Sequence, residues 1–475
     1  PEPGALHDPC VPTPRSFIKP NLLISPRIGF NWDVLSDTTT QVRGGVGVFI
    51  SRAPLVWVGG AFNNYCHNAG YTLSFSTPSV ADINGQLPGN IDPNNVSHSG
   101  GVDLFAADFK LPQFLKVSLA VCRKLPFGFI GTLDVLYNKT LQNVAYQNLN
   151  VDGPTGHLDG PDIRNCFGNG DDAPSETSDG YGRIVLGYNT SEGYGYNLTA
   201  NLQRPFSNGF FVQASYSYGD AYSVFDGTSS QNSSQWRGLS SVNGRNIDQQ
   251  RYRSNFSGGS RFLGVVSKRF SYGANKNLAT TLTVISETAQ SRPYSLIYND
   301  NGRLNGRTDS REASLIYIPA NEGEMNFVDE SFGGVDYTAA QQASAFEAFL
   351  STNDYTSTRR GQYAERNGDR GPWSSVIDIK IVQDIPLAGK NRLQISFDAL
   401  NFTNLLSEKW GRRRFVPSTY QVVNFEGFED GSLTPTYSFN PAILNEDNEL
   451  EPFVDDRGIQ SSRFQGQIGI RYIFE

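Results

Sequence analysis

The sequence predicts an all-β chain, a transmembrane antiparallel β-barrel, on three observations. The first is its last strand. Residues 464–474 alternate Phe464, Gly466, Ile468, Ile470, Tyr472 and Phe474 with Gln465, Gln467, Gly469, Arg471 and Ile473. Successive side chains of a strand point to opposite faces, so this segment has one apolar and one largely wet face. The aromatic at its end suits a membrane interface. The second is spacing. Strand-like segments are joined alternately by short turns and by long stretches, as in a barrel with short periplasmic turns and long outer loops. The third is composition. Only 18% of the 475 residues are charged, against the usual quarter, and 12% are aromatic. No run of eighteen apolar residues exists, which argues against spanning helices, whereas barrel strands hide from hydropathy averages. A large soluble β-protein shares this composition, but it has no reason to sort its joins by length.

The strands follow in order. Residues 27–34 set Ile28, Phe30, Trp32 and Val34 against Arg27, Asn31 and Asp33. After Ser36-Asp37-Thr38, residues 40–50 alternate Val42, Val46 and Val48 with Gln41 and Arg43. Strands at 114–124 and 127–138 meet at Leu125-Pro126, and those at 193–204 and 210–220 meet at Pro205 to Gly209. In the second of these, Phe210, Val212, Ala214, Tyr216 and Tyr218 oppose Phe211, Gln213, Ser215 and Ser217. Further pairs span 252–269 with 277–293 and 375–385 with 391–403, the latter joined through Pro386 to Gly389; residues 463–474 close the series. The long joins cover about 51–113, 139–192, 221–251, 294–374 and 404–462.

This makes eleven strands, with the C-terminus delivered to the periplasm if the short turns lie there. Single-chain bacterial barrels have even counts, and an open half-barrel leaves unpaired edge groups in lipid. Eleven is half of 22, the count of plugged outer-membrane transporters. The expectation is that residues 1–475 are the C-terminal part of such a barrel. Upstream strands and any plug would then precede Pro1; the chain also starts there without a signal segment, so either one was removed or this is not the whole polypeptide.

Within the long joins, residues 338–350 read as a short helix, with Ala339, Ala343, Phe346, Phe349 and Leu350 on one stripe. Asp300, Asn301, Asn305 and Asp309, and separately Asn169, Asp171 and Asp172, make oxygen-rich loops. Calcium uses such ligands, though the spacing fits no EF-hand and a solvated loop is the plainer reading. No other cofactor is expected. Cys10, Cys66, Cys122 and Cys166 fit no CxxC motif; Cys66 and Cys166 either pair in an oxidising exterior or stay free. His7, His67, His98 and His157 lack a second ligand at metal-binding spacing; Cys66–His67 and His157–Asp159 are half-sites at most.

A family resemblance runs through these segments. Ser25 to Asp33 (SPRIGFNWD), Gln41 to Phe49 (QVRGGVGVF), Gly160 to Arg164 (GPDIR), Arg292 to Ser295 (RPYS) and Leu315 to Pro319 (LIYIP) carry part of it. The most specific stretch is Arg360 to Asp384 (RGQYAERNGDRGPWSSVIDIKIVQD), followed by Phe397 to Asn404 (FDALNFTN), Trp410-Gly411 and Gln467 to Phe474. Together they resemble TonB-dependent outer-membrane receptors of the Oar-like branch. The resemblance implies a 22-stranded barrel with an N-terminal plug, a TonB box contacting the inner-membrane complex, and no catalytic residues.

Chemistry in the residues themselves is sparse. Arg43, Asp378, Lys380, Asp398 and Arg471 fall on the polar side of their strands and are the candidate lumen-facing groups. Asp378 and Asp398 are placed to meet across their hairpin near Lys380, as a structural cluster rather than an acid–base pair. Gly44 to Gly47 precede no helix, so they suit close approach of a strand or plug, not a dinucleotide. Tyr216, Tyr218, Tyr222 and Phe225 form either a sugar- or peptide-binding tract or an aromatic girdle. A net charge of −8 argues against nucleic acid. The expected function is TonB-energised import of an unspecified ligand across the bacterial outer membrane, with no enzyme activity. The alternative is a transporter-like scaffold within a larger outer-membrane complex. The expected partners are membrane lipid, the TonB complex through upstream sequence, and surface lipoproteins or other outer-membrane subunits.

Overall fold

The computed structural model describes residues 21–63, 101–167, 183–300, 303–305, 314–456 and 462–474. Cys10, Cys66, His7, His67, His98, Asn169, Asp171, Asp172, Asn301 and Asp309 lie outside them, and only the backbone is described at Asn305.

Eleven strands form the wall: β1 (Arg27–Asp33), β2 (Thr40–Ile50), β3 (Gln113–Lys124), β4 (Ile130–Asn148), β5 (Gly193–Ser207), β6 (Phe210–Ser223), β7 (Gly259–Tyr272), β8 (Leu278–Gln290), β9 (Trp373–Pro386), β10 (Arg392–Leu400) and β11 (Gln465–Ile473). Each pairs antiparallel with the next, in chain order. Short and long joins alternate along this path, as the sequence predicts. The tightest join is Asn208-Gly209, with φ of 51° and 74°. Both residues are left-handed, the geometry that matches the twist of a two-residue hairpin. A Cβ at Gly209 would stand 2.5 Å from the carbonyl oxygen of Arg269, so the neighbouring strand also requires glycine.

Register decides which residues share a face. Ile28, Val46, Val117, Tyr137 and Tyr196 face one another in one row across β1 to β5. Leu282, Ile381, Phe397 and Ile468 form another across β8 to β11. This face is apolar and uncovered: Ile28 is 73% exposed, Ile468 75% and Ile470 74%. Apolar surface this continuous is foreign to a soluble monomer and matches a lipid-facing wall. No helix among the described residues is long and apolar enough to cross a membrane.

Aromatics edge the apolar face at both ends. Trp32, Phe210, Phe270, Tyr272 and Tyr472 lie toward the short turns; Tyr137, Tyr196, Phe262 and Trp373 lie toward the long joins. Phe262 and Phe270 share one face of β7 eight residues apart, about 26 Å at roughly 3.3 Å per residue. Strand tilt reduces that height to about 20 Å, close to the ~25 Å apolar band of an outer-membrane barrel.

Several boundaries differ from the sequence expectation. β4 continues past residue 138 to Asn148, because its upper part leaves the wall and pairs with Ile184–Thr190. β7 begins at Gly259 rather than 252. Tyr252–Arg253 make only a two-residue ladder with β6, and the chain turns at Ser254 to Ser257 before Gly259 enters the wall at φ 64°. β10 stops at Leu400 because Asn401 turns left-handed at φ 52° and starts a short helix, Phe402–Leu406.

The long joins fold into a layer with cores of its own. Pro293–Asn299, Asp369–Arg370, Thr419–Phe428, Pro435–Ser438 and Asn326–Phe327 build a five-stranded mixed sheet. The predicted helix is present as α1 (Ala339–Thr352). Thr338 caps it reciprocally with Gln341, and Phe346, Phe349 and Leu350 are buried against the sheet with Phe327 and Phe439. A second cluster gathers Trp57, Phe109, Tyr146, Phe225 and Trp236 around the upper part of β4. The loop layer therefore holds its large buried side chains, while the wall presents its own to the surroundings.

Candidate functional site

The polar face of the wall and the loop layer together form the candidate site. On the wall, Arg43, Ala120 and Asp134 occupy one row of β2, β3 and β4. Ala120 is too short to separate them, and Arg43 Nη2 reaches Asp134 Oδ1 at 3.4 Å. Lys380 and Asp398 stand opposite each other on β9 and β10, with Nζ–Oδ1 2.7 Å. Asp378 and Asp398 do not form the expected pair. Asp378 Oδ1 instead accepts the backbone N–H of Asn401 at 2.7 Å, because β10 ends there and frees that donor. Arg471 stands opposite Gln394 on β10 and has no carboxylate within ion-pair distance among the described residues. All five candidates share the polar face.

Sequence reasoning missed two further pairs, Arg261–Glu287 at 2.8 Å and Arg269–Asp384 at 3.0 Å. Opposite charges on neighbouring strands were the available signal, but only the register reveals which ones meet. Two cavities lie against the wall. One, of about 640 Å³, includes Arg27, Lys116 and Asn138 on the polar face, whereas the other, of about 820 Å³, is lined mainly from the apolar face by Val121, Leu133, Leu202 and Phe262.

The loop layer buries charge. Arg164 is fully buried; its Nε donates to both oxygens of Asp162 at 2.9 Å, and Nη2 donates to the Leu315 carbonyl at 2.9 Å. Its guanidinium lies over the Tyr298 ring at 4.9 Å. Burial opposes the charge on Arg164, but the Asp162 carboxylate more than offsets it and holds the pKa above its usual value. Tyr298 and Tyr437 stack at 5.2 Å, and burial raises both phenols.

A second network ties separate joins together. Asp220, at the long-join end of β6, accepts from Arg253 Nε and Arg370 Nη2, each at 3.2 Å, and from the Ser257 hydroxyl. Arg253 Nη1 continues to the carbonyls of Asn367 at 3.1 Å and Gly368 at 2.8 Å. Arg366 donates to the carbonyls of Ser223 and Val224; burial pushes its pKa down to about 10, so it stays charged at neutral pH. Arg366 and Arg370 lie in the segment Arg360 to Asp384, which the sequence singles out without indicating a role.

Other expectations resolve at particular residues. Tyr216 packs on Phe262 at 4.6 Å in the aromatic band toward the long joins, and Tyr222 stacks on Tyr194 at 4.8 Å. Phe225 is buried against Tyr146 at 5.5 Å. Gly44 receives the Phe30 ring, which a Cβ would meet at 2.9 Å, so the glycine serves strand packing. Asp159 Oδ2 accepts the N–H of Leu433 at 2.9 Å and so pins a neighbouring turn beside the exposed His157. Asp300 Oδ2 accepts the N–H of Leu304 at 3.0 Å and the Ser314 hydroxyl. The thiols of Cys122 and Cys166 are unbridged.

A family model described as outer membrane beta barrel domain matches residues 3–407, well over half of the sequence. The chain belongs to this family. As an outer-membrane β-barrel chain, it has its apolar wall in the outer membrane. Solved structures to which it is similar include an outer-membrane transporter, YddB, from Escherichia coli, at 12% identity and TM-score 0.42, covering 88% of this chain and 39% of that one. A ferric enterobactin receptor variant from Pseudomonas aeruginosa matches at 9% identity and TM-score 0.38, covering 94% and 40%. The siderophore receptor PirA from Acinetobacter baumannii matches at 10% identity and TM-score 0.35, covering 90% and 39%. The chain spans about two-fifths of the length of these proteins. No curated protein matches it.

Proposed function

We propose that residues 1–475 are the C-terminal wall and outer-loop layer of a TonB-dependent outer-membrane transporter of the Oar-like branch. The observation that carries this reading is the wall: eleven antiparallel strands, one apolar and one polar face, and joins that alternate short and long. Among the described residues β1 and β11 do not pair, so each leaves an edge that lipid cannot satisfy. Further strands completing a 22-stranded barrel, with a plug and a TonB box, remove that penalty. In this reading the short turns are periplasmic, the loop layer is extracellular, and Arg43, Asp378, Lys380, Asp398 and Arg471 face the lumen. Ligand binds the outer loops and plug, and TonB-delivered energy rearranges the plug. No catalytic residue takes part.

The test measures solute depletion from defined medium by cells with and without the full-length protein, each with and without TonB function. Depletion of at least one solute that requires both is expected. Depletion that requires the protein but persists undiminished without TonB contradicts the proposal.

One observation favours a second reading, a scaffold subunit of a larger surface complex. The loop layer has a sheet and two cores of its own, more structure than a flexible ligand-gating loop needs. Co-purification of a stoichiometric surface lipoprotein or outer-membrane subunit, together with no TonB-dependent depletion, supports that reading over transport.

A further inference from the structure

The polar face of the wall pairs most of its charges. Arg43, Arg261, Arg269 and Lys380 each contact a carboxylate on a nearby strand. Two cations near the loop end of the wall do not. Arg27 on β1 and Lys116 on β3 both stand opposite Gly47 of β2, one on each side of it. Strands in a sheet lie about 4.8 Å apart, so two cations flanking one central strand are within reach of a single small ligand. Among the described residues neither has a carboxylate within ion-pair distance.

Local packing brings them closer. Gly47 has no side chain to hold them apart; a Cβ there would meet Arg27 Cγ at 2.9 Å and the Phe49 ring at 3.2 Å. The Phe49 ring attracts both: Arg27 Cζ lies 4.3 Å and Lys116 Nζ 5.3 Å from its centroid. Cation–π attraction is worth about 0.5–1 kcal/mol at exposed sites and neutralises neither charge. Two like charges share one ring, and an anion between them would replace repulsion with two charge-assisted hydrogen bonds.

There is room for one. The cavity of about 640 Å³ in front of these residues also takes in Asn138 and Asn197. Its volume falls within the roughly 300–1,000 Å³ of small-molecule sites. Gly45, Gly195 and Gly219 keep its floor low, so the two cations and Phe49 stand above it.

We propose that Arg27 and Lys116, with Phe49 between them, bind a small carboxylate- or phosphate-bearing solute whose apolar body lies on the ring. The proposal rests on the reading that the polar face lines a transport path.

Saturation-transfer NMR on the detergent-solubilised full-length protein tests it, with benzoate, phenyl phosphate and uncharged benzyl alcohol as probes. Saturable, salt-sensitive binding of at least one anion is expected, and the two anions separate carboxylate from phosphate preference. Arg27→Gln with Lys116→Gln should weaken that binding at least ~10-fold, the loss of a hydrogen bond to a charged group. Arg27→Lys with Lys116→Arg should retain it, which excludes misfolding as the cause. The proposal is overturned if neither anion binds better than benzyl alcohol, the result expected when a carboxylate from another segment fills the site. It is equally overturned if the double glutamine variant binds as the parent does. The measurement needs no uptake, so its failure leaves the transport reading standing, and a failure of TonB dependence leaves this site standing.

Discussion

Arg366 is the residue on which the loop layer most visibly depends. Its buried guanidinium caps two carbonyls of the chain leaving β6, those of Ser223 and Val224. Arg366→Ala orphans both acceptors, and each buried unsatisfied group costs about 1–3 kcal/mol. The expected outcome is about 2–4 kcal/mol of local destabilisation, read as faster amide exchange around residues 223–226 and 365–368 while the wall strands stay protected. Unchanged exchange there would refute the role. Lys380–Asp398 is the contrasting case. The Lys380 side chain is 47% exposed, and exposed pairs contribute about 0–1 kcal/mol. A double-mutant cycle with Lys380→Gln and Asp398→Asn should return a coupling energy below about 1 kcal/mol in thermal unfolding. A coupling above about 2 kcal/mol would mean that the pair sits in a drier environment than the wall surface provides.

At the scale of the element, α1 gives the cleanest prediction. Thr338 accepts from the N–H of Gln341, while the Gln341 side chain accepts from the N–H of Thr338. Thr338→Ala removes one side of this box, which costs about 1 kcal/mol. Hydrogen exchange should rise at residues 339–342 and not at the far end of the helix; a uniform rise would mean that the cap does not act locally. The helix was legible in the sequence because its period of apolar residues is local. So were all eleven wall strands, because alternation of polar and apolar side chains is imposed by the lipid face strand by strand. What was not legible depends on partners distant in sequence. β4 overruns its expected end because Ile184–Thr190 offers a ladder about forty residues away. The site divides in the same way. Placing Arg43, Asp378, Lys380, Asp398 and Arg471 on one side of their strands needed only parity. Finding that Asp378 caps the Asn401 N–H, or that Arg269 meets Asp384, needed register and the strand end. The network of Asp220, Arg253 and Arg370 unites residues up to 150 positions apart, beyond any periodic signal.

The whole molecule is defined by two faces and two ends. The wall buries little within the chain and turns its apolar face outward; the loop layer, at one end only, carries the packed cores. Lipid therefore completes the wall, and the aromatic bands mark where it begins and ends. The asymmetry of the joins distinguishes the two ends of the wall, and the proposed function assigns the short turns to the periplasm and the loop layer to the exterior. The most direct test is cysteine labelling of the full-length protein, in a background whose native cysteines are serine. Lys390→Cys places a thiol in the short turn between β9 and β10, and Asp336→Cys places one on an exposed hairpin of the loop layer. A membrane-impermeant maleimide applied to intact cells should label Asp336→Cys and spare Lys390→Cys, and permeabilising the outer membrane should expose both. Labelling of Lys390→Cys on intact cells, or of Asp336→Cys only after permeabilisation, would contradict the account.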